Sequence, residues 1–164
     1  MTPIDTFTPA PGWVARVYYD DEIRNPWDEE CGHISPEYFD RRGNVPSGWT
    51  IMSTHGRGYW AYDAGAALLK ASLEKWGLDP SSREYKGIRV KDGHKKPTRS
   101  QIRYAAVKAD AARMADYING GWHYVGISVT REGGEDLYEH AVWGIESDCD
   151  DYWHEVAKEL IREM

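Results

Sequence analysis

The sequence predicts an α+β fold: one domain over residues 1–164, with an antiparallel sheet of about four to five strands and about three helices packed on one face. Three observations carry this. Short segments alternate polar and apolar residues and are joined by tight turns. Three other segments repeat their apolar residues at helical spacing. The order runs strand, loop, strand pair, helix, long helix, hairpin, helix, which is not the regular alternation that builds a parallel sheet.

Residues 1–12 hold Pro3, Pro9, Pro11 and Gly12 and read as an extended lead-in. "WVARVYY", residues 13–19, alternates around β-branched and aromatic positions and is the first strand. Residues 20–48 form a long acidic loop broken by Pro26, Pro36 and Pro46. "WTIMST", 49–54, and "GYWAY", 58–62, pair as strands across "HGRG". Asp63 is placed to cap a helix over 64–77, with Leu68, Leu69, Leu73 and Trp76 as its apolar stripe and Gly77 at its end.

Residues 78–97 form a basic connection with room for a short strand at "GIRV". The longest helix opens at "PTRSQ", where Thr98 and Gln101 have the spacing of a capping box. Tyr104, Val107, Ala111, Met114 and Ile118 mark its buried face, and Gly120 with Gly121 ends it. Residues 122–131 and 135–146 form a hairpin whose strands bring His123 and His140 within range of each other. The last helix starts within 148–151, on acids suited to its N-terminus, and repeats Trp153, Val156, Ala157, Leu160, Ile161 and Met164 along one side.

Composition narrows the class. Eight Trp and eleven Tyr stand against two Phe, a bias toward rings that carry a polar atom and suit half-exposed surfaces. Two cysteines, Cys31 and Cys149, are too few for a disulfide framework. The N-terminus lacks the basic and apolar regions of a signal peptide. No apolar run approaches the length of about 18 residues that spans a bilayer. The chain is therefore expected in the cytoplasm, in contact with no membrane. Charge is segregated: residues 1–50 carry nine acids and four bases, residues 83–113 ten bases and three acids, and residues 132–164 eleven acids and two bases.

The candidate sites follow from these patches. Cys31 with His33, and Cys149 with His154, supply two thiols and two imidazoles, but not the close ligand pairs of a zinc site, so no metal is expected. No cofactor motif and no nucleophile elbow occurs, and the sequence favours a binding protein over an enzyme. The acids Asp20, Asp21, Glu22, Asp28, Glu29, Glu30, Glu146, Asp148, Asp150 and Asp151 lie among Tyr and Trp, with Trp27 central to the first group. Carboxylates interspersed with aromatic anchors suit docking onto a basic groove of another protein. The alternative is nucleic acid held by Lys91, Lys95, Lys96, Arg99 and Arg103, which run into a helix N-terminus. A metal-dependent enzyme is the second alternative.

Several segments together give a resemblance. "NPWDEECGHI" after the first strand, "GYWAY" leading into a helix, "ADYINGGWHYVGISV" and "VWGIESD" before a terminal helix make the chain similar to a family of small phage-encoded accessory proteins. Asn25, Pro26 and Asp28 match its first motif. Tyr117, Gly120 (or Gly121), Tyr124 and Val129 match the third, and Trp143, Gly144 and Asp148 the last. The resemblance implies a phage origin and a non-structural role inside a bacterium; with the acidic surface, the expected partner is then a host or phage protein and the expected effect inhibition of a host defence or growth system. It carries over no functional residues.

Overall fold

The structure is a computed structural model that describes residues 1–22, 25–29, 32–74, 97–135 and 140–164. Among them are seven strands and three α-helices, and the α+β class with antiparallel pairing is observed. The strands are divided between a four-stranded and a three-stranded sheet rather than gathered in one. The chain groups into two compact units, one of Met1–Arg24 with Gly120–Met164, the other of Asn25–Asn119.

The first unit holds β1 (Asp5–Phe7), β2 (Trp13–Tyr19), β6 (Tyr124–Arg131), β7 (Ala141–Glu146) and α3 (Asp150–Glu163). Its sheet order is β1-β2-β6-β7, all antiparallel. The register sets Ala15 opposite Val129 and Val17 opposite Ile127, so the alternation of both strands puts their apolar residues on one face. Val125 and Ile145 join them, and α3 closes this core with Val156, Ala157 and Leu160. Each such buried aliphatic contributes about 1.5–3 kcal/mol relative to an exposed one. Trp153 and Ile161 pack at its margin, and Met164, expected on the same stripe, is exposed. β1 lies within the stretch expected as an extended lead-in.

The second unit holds β3 (Glu37–Phe39), β4 (Trp49–His55), β5 (Gly58–Asp63), α1 (Ala64–Leu73) and α2 (Arg99–Ile118). Sheet order is β3-β5-β4. β3 and two short 3-10 turns, Pro26–Glu29 and Arg42–Asn44, lie within the expected acidic loop. Both predicted caps form: Asp63 Oδ1 accepts from Ala66 N at 3.0 Å, and Thr98 with Gln101 makes a complete capping box. Asn119 and Gly120, at φ +79°, end α2 as the glycine pair predicted.

Two helix faces differ from expectation. Leu69 and Leu73 are 65% and 79% exposed, while Ala67 and Ala71 are buried in the core with Tyr62, Val107 and Met114. Small residues on the buried side let α1 approach α2 closely; of the expected stripe, Leu68 packs against this core while Leu69 and Leu73 point away from it. Tyr104 is likewise exposed, with Lys108 Nζ at 5.6 Å from its ring centroid. The expected end of the first helix at Trp76–Gly77 and the strand at "GIRV" lie outside the described residues.

Candidate functional site

In the first unit, three stretches of carboxylates reach the same end of the sheet. Asp20 follows β2 and donates its backbone N–H to Tyr124 O at 3.1 Å. Tyr124 pairs with Glu146, the last residue of β7. Ser147 and His123 then continue the ladder, with Ser147 N donating to His123 O and His123 N to Ser147 Oγ. Asp148 follows in the turn before α3. Thus Asp20, Asp21 and Glu22 come beside Glu146 and Asp148, with Asp151 in the first turn of α3.

These carboxylates do different things. Asp20 is structural as well as acidic: Oδ2 accepts from Gly144 N at 3.0 Å and Oδ1 from Glu22 N at 3.2 Å. Gly144 has φ +79° and sits in the bulge of β7, where the indole of Trp143 lies over Gly126. Asp21, Glu22, Asp148 and Asp151 are exposed, and Glu146 is half-buried. Tyr19, Trp143 and Tyr152 are 51%, 37% and 53% exposed, so aromatic rings accompany the acids. Along α3, Asp151, Glu155, Glu159 and Glu163 recur every fourth position and are all exposed, a continuous acidic ridge.

The start of α3 departs from expectation in one respect. Its N-cap is Cys149, whose side chain makes no capping hydrogen bond, and the exposed Asp151 in the first turn lies at the positive end of the helix dipole. Trp153 Nε1 instead donates to Glu146 O at 3.2 Å and ties the helix to the end of β7.

The other candidate residues lie elsewhere. Trp27 is half-buried in the second unit, packed on Trp60 at 5.4 Å and edge-on to Tyr117 at 6.0 Å, and supports that core. Asp28 is exposed and accepts from Asn25 Nδ2 at 3.1 Å. The backbones of Glu29 and Asp150 are described but their side chains are not, and Glu30, Cys31, Lys91, Lys95 and Lys96 lie outside the described residues. Arg99 is exposed, whereas Arg103 has a buried Nε without a hydrogen-bond partner, so this guanidinium is not freely offered to a phosphate. His123 and His140 stand at opposite ends of the β6–β7 ladder and do not face each other. His123 stacks on Tyr19 at 4.7 Å.

The second unit contains a charged constellation that sequence reading missed. The ring of His33, its side chain 8% exposed, is held between two carboxylates. Nδ1 lies 2.5 Å from Asp110 Oδ2, and Nε2 lies 2.9 Å from Glu74 Oε1. The same Asp110 oxygen accepts the His33 backbone N–H at 2.8 Å. Carboxylates only accept, so both ring contacts are hydrogen bonds together only when each ring nitrogen carries a proton. Gly32, at φ +75°, lets Asp110 approach, since a Cβ there would stand 2.9 Å from Oδ2. Because the two carboxylates occupy opposite ring nitrogens, they do not converge on one point as metal ligands would.

Elsewhere among the described residues, Glu146, Asp148 and Cys149 bring ligand atoms within 4.8 Å of one another. This mixes hard carboxylates with a soft thiol, and no imidazole joins it; the His154 ring lies 4.3 Å from Phe7. Two phenols are perturbed. Burial, the largest cause, pushes Tyr62 above its ordinary value; the Thr50 hydrogen bond opposes this and Tyr104 adds to it. Tyr117 is raised by burial and then by the Asp28 carboxylate. No helix among the described residues is long and apolar enough to cross a membrane. Comparison with protein-family models, curated proteins and solved structures finds no match to this chain.

Proposed function

We infer that this chain is a non-enzymatic phage accessory protein that binds a basic surface on a host or phage protein, and that it inhibits a host defence or growth system. The observation that carries the reading is the gathering of Asp21, Glu22, Glu146, Asp148 and Asp151 at one end of the first sheet, continued by the α3 ridge. The unit that bears them has fifteen acids against five bases, whereas the other has twelve against fifteen. Such a field attracts a basic partner and raises its association rate, and the exposed Tyr19, Trp143 and Tyr152 offer anchors. The phage origin rests on the sequence motifs alone.

Affinity capture from bacterial lysate tests the binding. The wild-type chain should retain a partner that is lost when Asp21, Glu22, Asp148 and Asp151 are changed to Lys. Asp20 is left intact, because it holds the β7 bulge. Retention of the same proteins by the reversed variant would rule this surface out.

A further inference from the structure

We propose that the face of the three-stranded sheet opposite α1 and α2 is a binding platform for single-stranded nucleic acid. This goes beyond the acidic-surface reading and does not depend on it. The register pairs Phe39 with Tyr59, Ile51 and Glu37 with Ala61, and Trp49 with Asp63, so the pleat puts Phe39, Trp49, Ile51 and Tyr59 on one face around a buried Ala61, with the Glu37 and Asp63 carboxylates at the end away from Tyr59. Both helices of the unit pack on the other face, where Tyr62 enters the core and Ser53 Oγ donates to Asn119 Oδ1 at 2.9 Å. Three aromatic rings therefore lie on the side away from α1 and α2, the helices of this unit among the described residues. All three are half-buried, and Phe39 meets Trp49 edge-on at 5.5 Å.

Cations stand at one end of this platform. Arg41 follows the end of β3 by two residues and Arg57 lies in the turn that leads into β5, so both stand at the Phe39–Tyr59 end of the sheet. Arg42 follows, and all three arginines are exposed. Their guanidinium groups have no ion-pair partner among the described residues. The nearby Asp40 carboxylate is taken by Asn44 Nδ2 at 2.5 Å, and Glu37 is at the far end of β3. Aromatic rings on a sheet flanked by unpaired arginines are what successive bases and their backbone require: stacking surfaces and a cationic track. The ligand is single-stranded because bases in a duplex do not present their faces.

The test uses the full chain and a short fluorescein-labelled oligo(dT), followed by anisotropy as salt is varied. Saturable binding at low salt is expected. Tyr59→Leu, which keeps apolar bulk but removes the stacking ring, should weaken it by about 5- to 150-fold. Arg41→Ala with Arg57→Ala should flatten the log–log salt dependence by about 1.4, since each phosphate contact on a single strand contributes about 0.7. If Tyr59→Leu fails to fold by circular dichroism, the exposed arginine pair still decides. Three results would overturn the proposal. One is no binding at low salt. Another is binding untouched by these changes but lost on Lys91→Ala, Lys95→Ala and Lys96→Ala. The third is loss of a protein partner, with no oligonucleotide bound, which would make the face a protein-docking surface.

Discussion

Replacing Asp110 tests whether the His33 constellation holds the second unit together. Both contacts of Asp110 land on one oxygen, Oδ2, from the His33 backbone N–H and from Nδ1. Asn at this position can offer a carbonyl oxygen to the same two donors, so Asp110→Asn removes the charge and little else. Charge-assisted bonds contribute about 1.5–3 kcal/mol and neutral ones about 0.5–1.5, a difference near 1 kcal/mol per bond. Asp110 is 27% exposed, so water competes, and the expected loss is about 1 kcal/mol for the pair. Asp110→Ala removes both bonds and strands a backbone donor next to a His33 side chain that is only 8% exposed, and the expected loss is about 3 kcal/mol. Glu74 is 49% exposed, and Glu74→Ala should cost well under about 1 kcal/mol. Urea unfolding followed by tryptophan fluorescence measures all three. A loss below about 0.5 kcal/mol for Asp110→Ala, or equal losses for Ala and Asn, would refute the argument that charge and orphaned donors dominate here.

Two further outcomes are expected. Gly126→Ala places a Cβ 2.1 Å from the Trp143 ring, and that indole, 37% exposed, should swing outward. The cost should then be only its lost packing, about 1–2 kcal/mol, with a red-shifted tryptophan emission; an unshifted emission would mean the ring had not moved. Alkaline titration of stability should reveal the two raised phenols. Their stabilising contribution is complete below the unfolded-state value near pH 10 and is lost as pH rises through the higher folded-state values. Tyr62→Phe and Tyr117→Phe should each reduce that alkaline loss, measured as melting temperature against pH.

Much of the architecture was readable from local signals. The period-2 runs of β2 and β6, the Thr98–Gln101 box and the amphipathic α3 each depend on residues close in sequence. β1 and β3 were not readable, because three residues are too few to establish a period. Without them the division into two sheets stayed hidden. Leu69 and Leu73 of α1 misled because apolar stripes usually face inward, whereas here Ala67 and Ala71, with Leu68 beside them, provide the close contact. At the candidate surface, the acids were visible but their convergence was not, since only the β2–β6–β7 register brings Asp20 beside Glu146. The bonding of Asp20 to Gly144 and the packing of Trp27 had no sequence signal. His33, Glu74 and Asp110 are too far apart in the chain for any spacing rule.

The central claim is that the acidic end of the first unit meets a basic partner, and association kinetics test it most directly. With the partner recovered by affinity capture, its association rate constant should fall at least about tenfold between low and physiological salt. Asp148→Lys with Asp151→Lys should lower the low-salt rate and flatten that dependence while leaving the melting temperature near wild type. A rate indifferent to salt, or one unchanged by reversing these two carboxylates, would contradict the account.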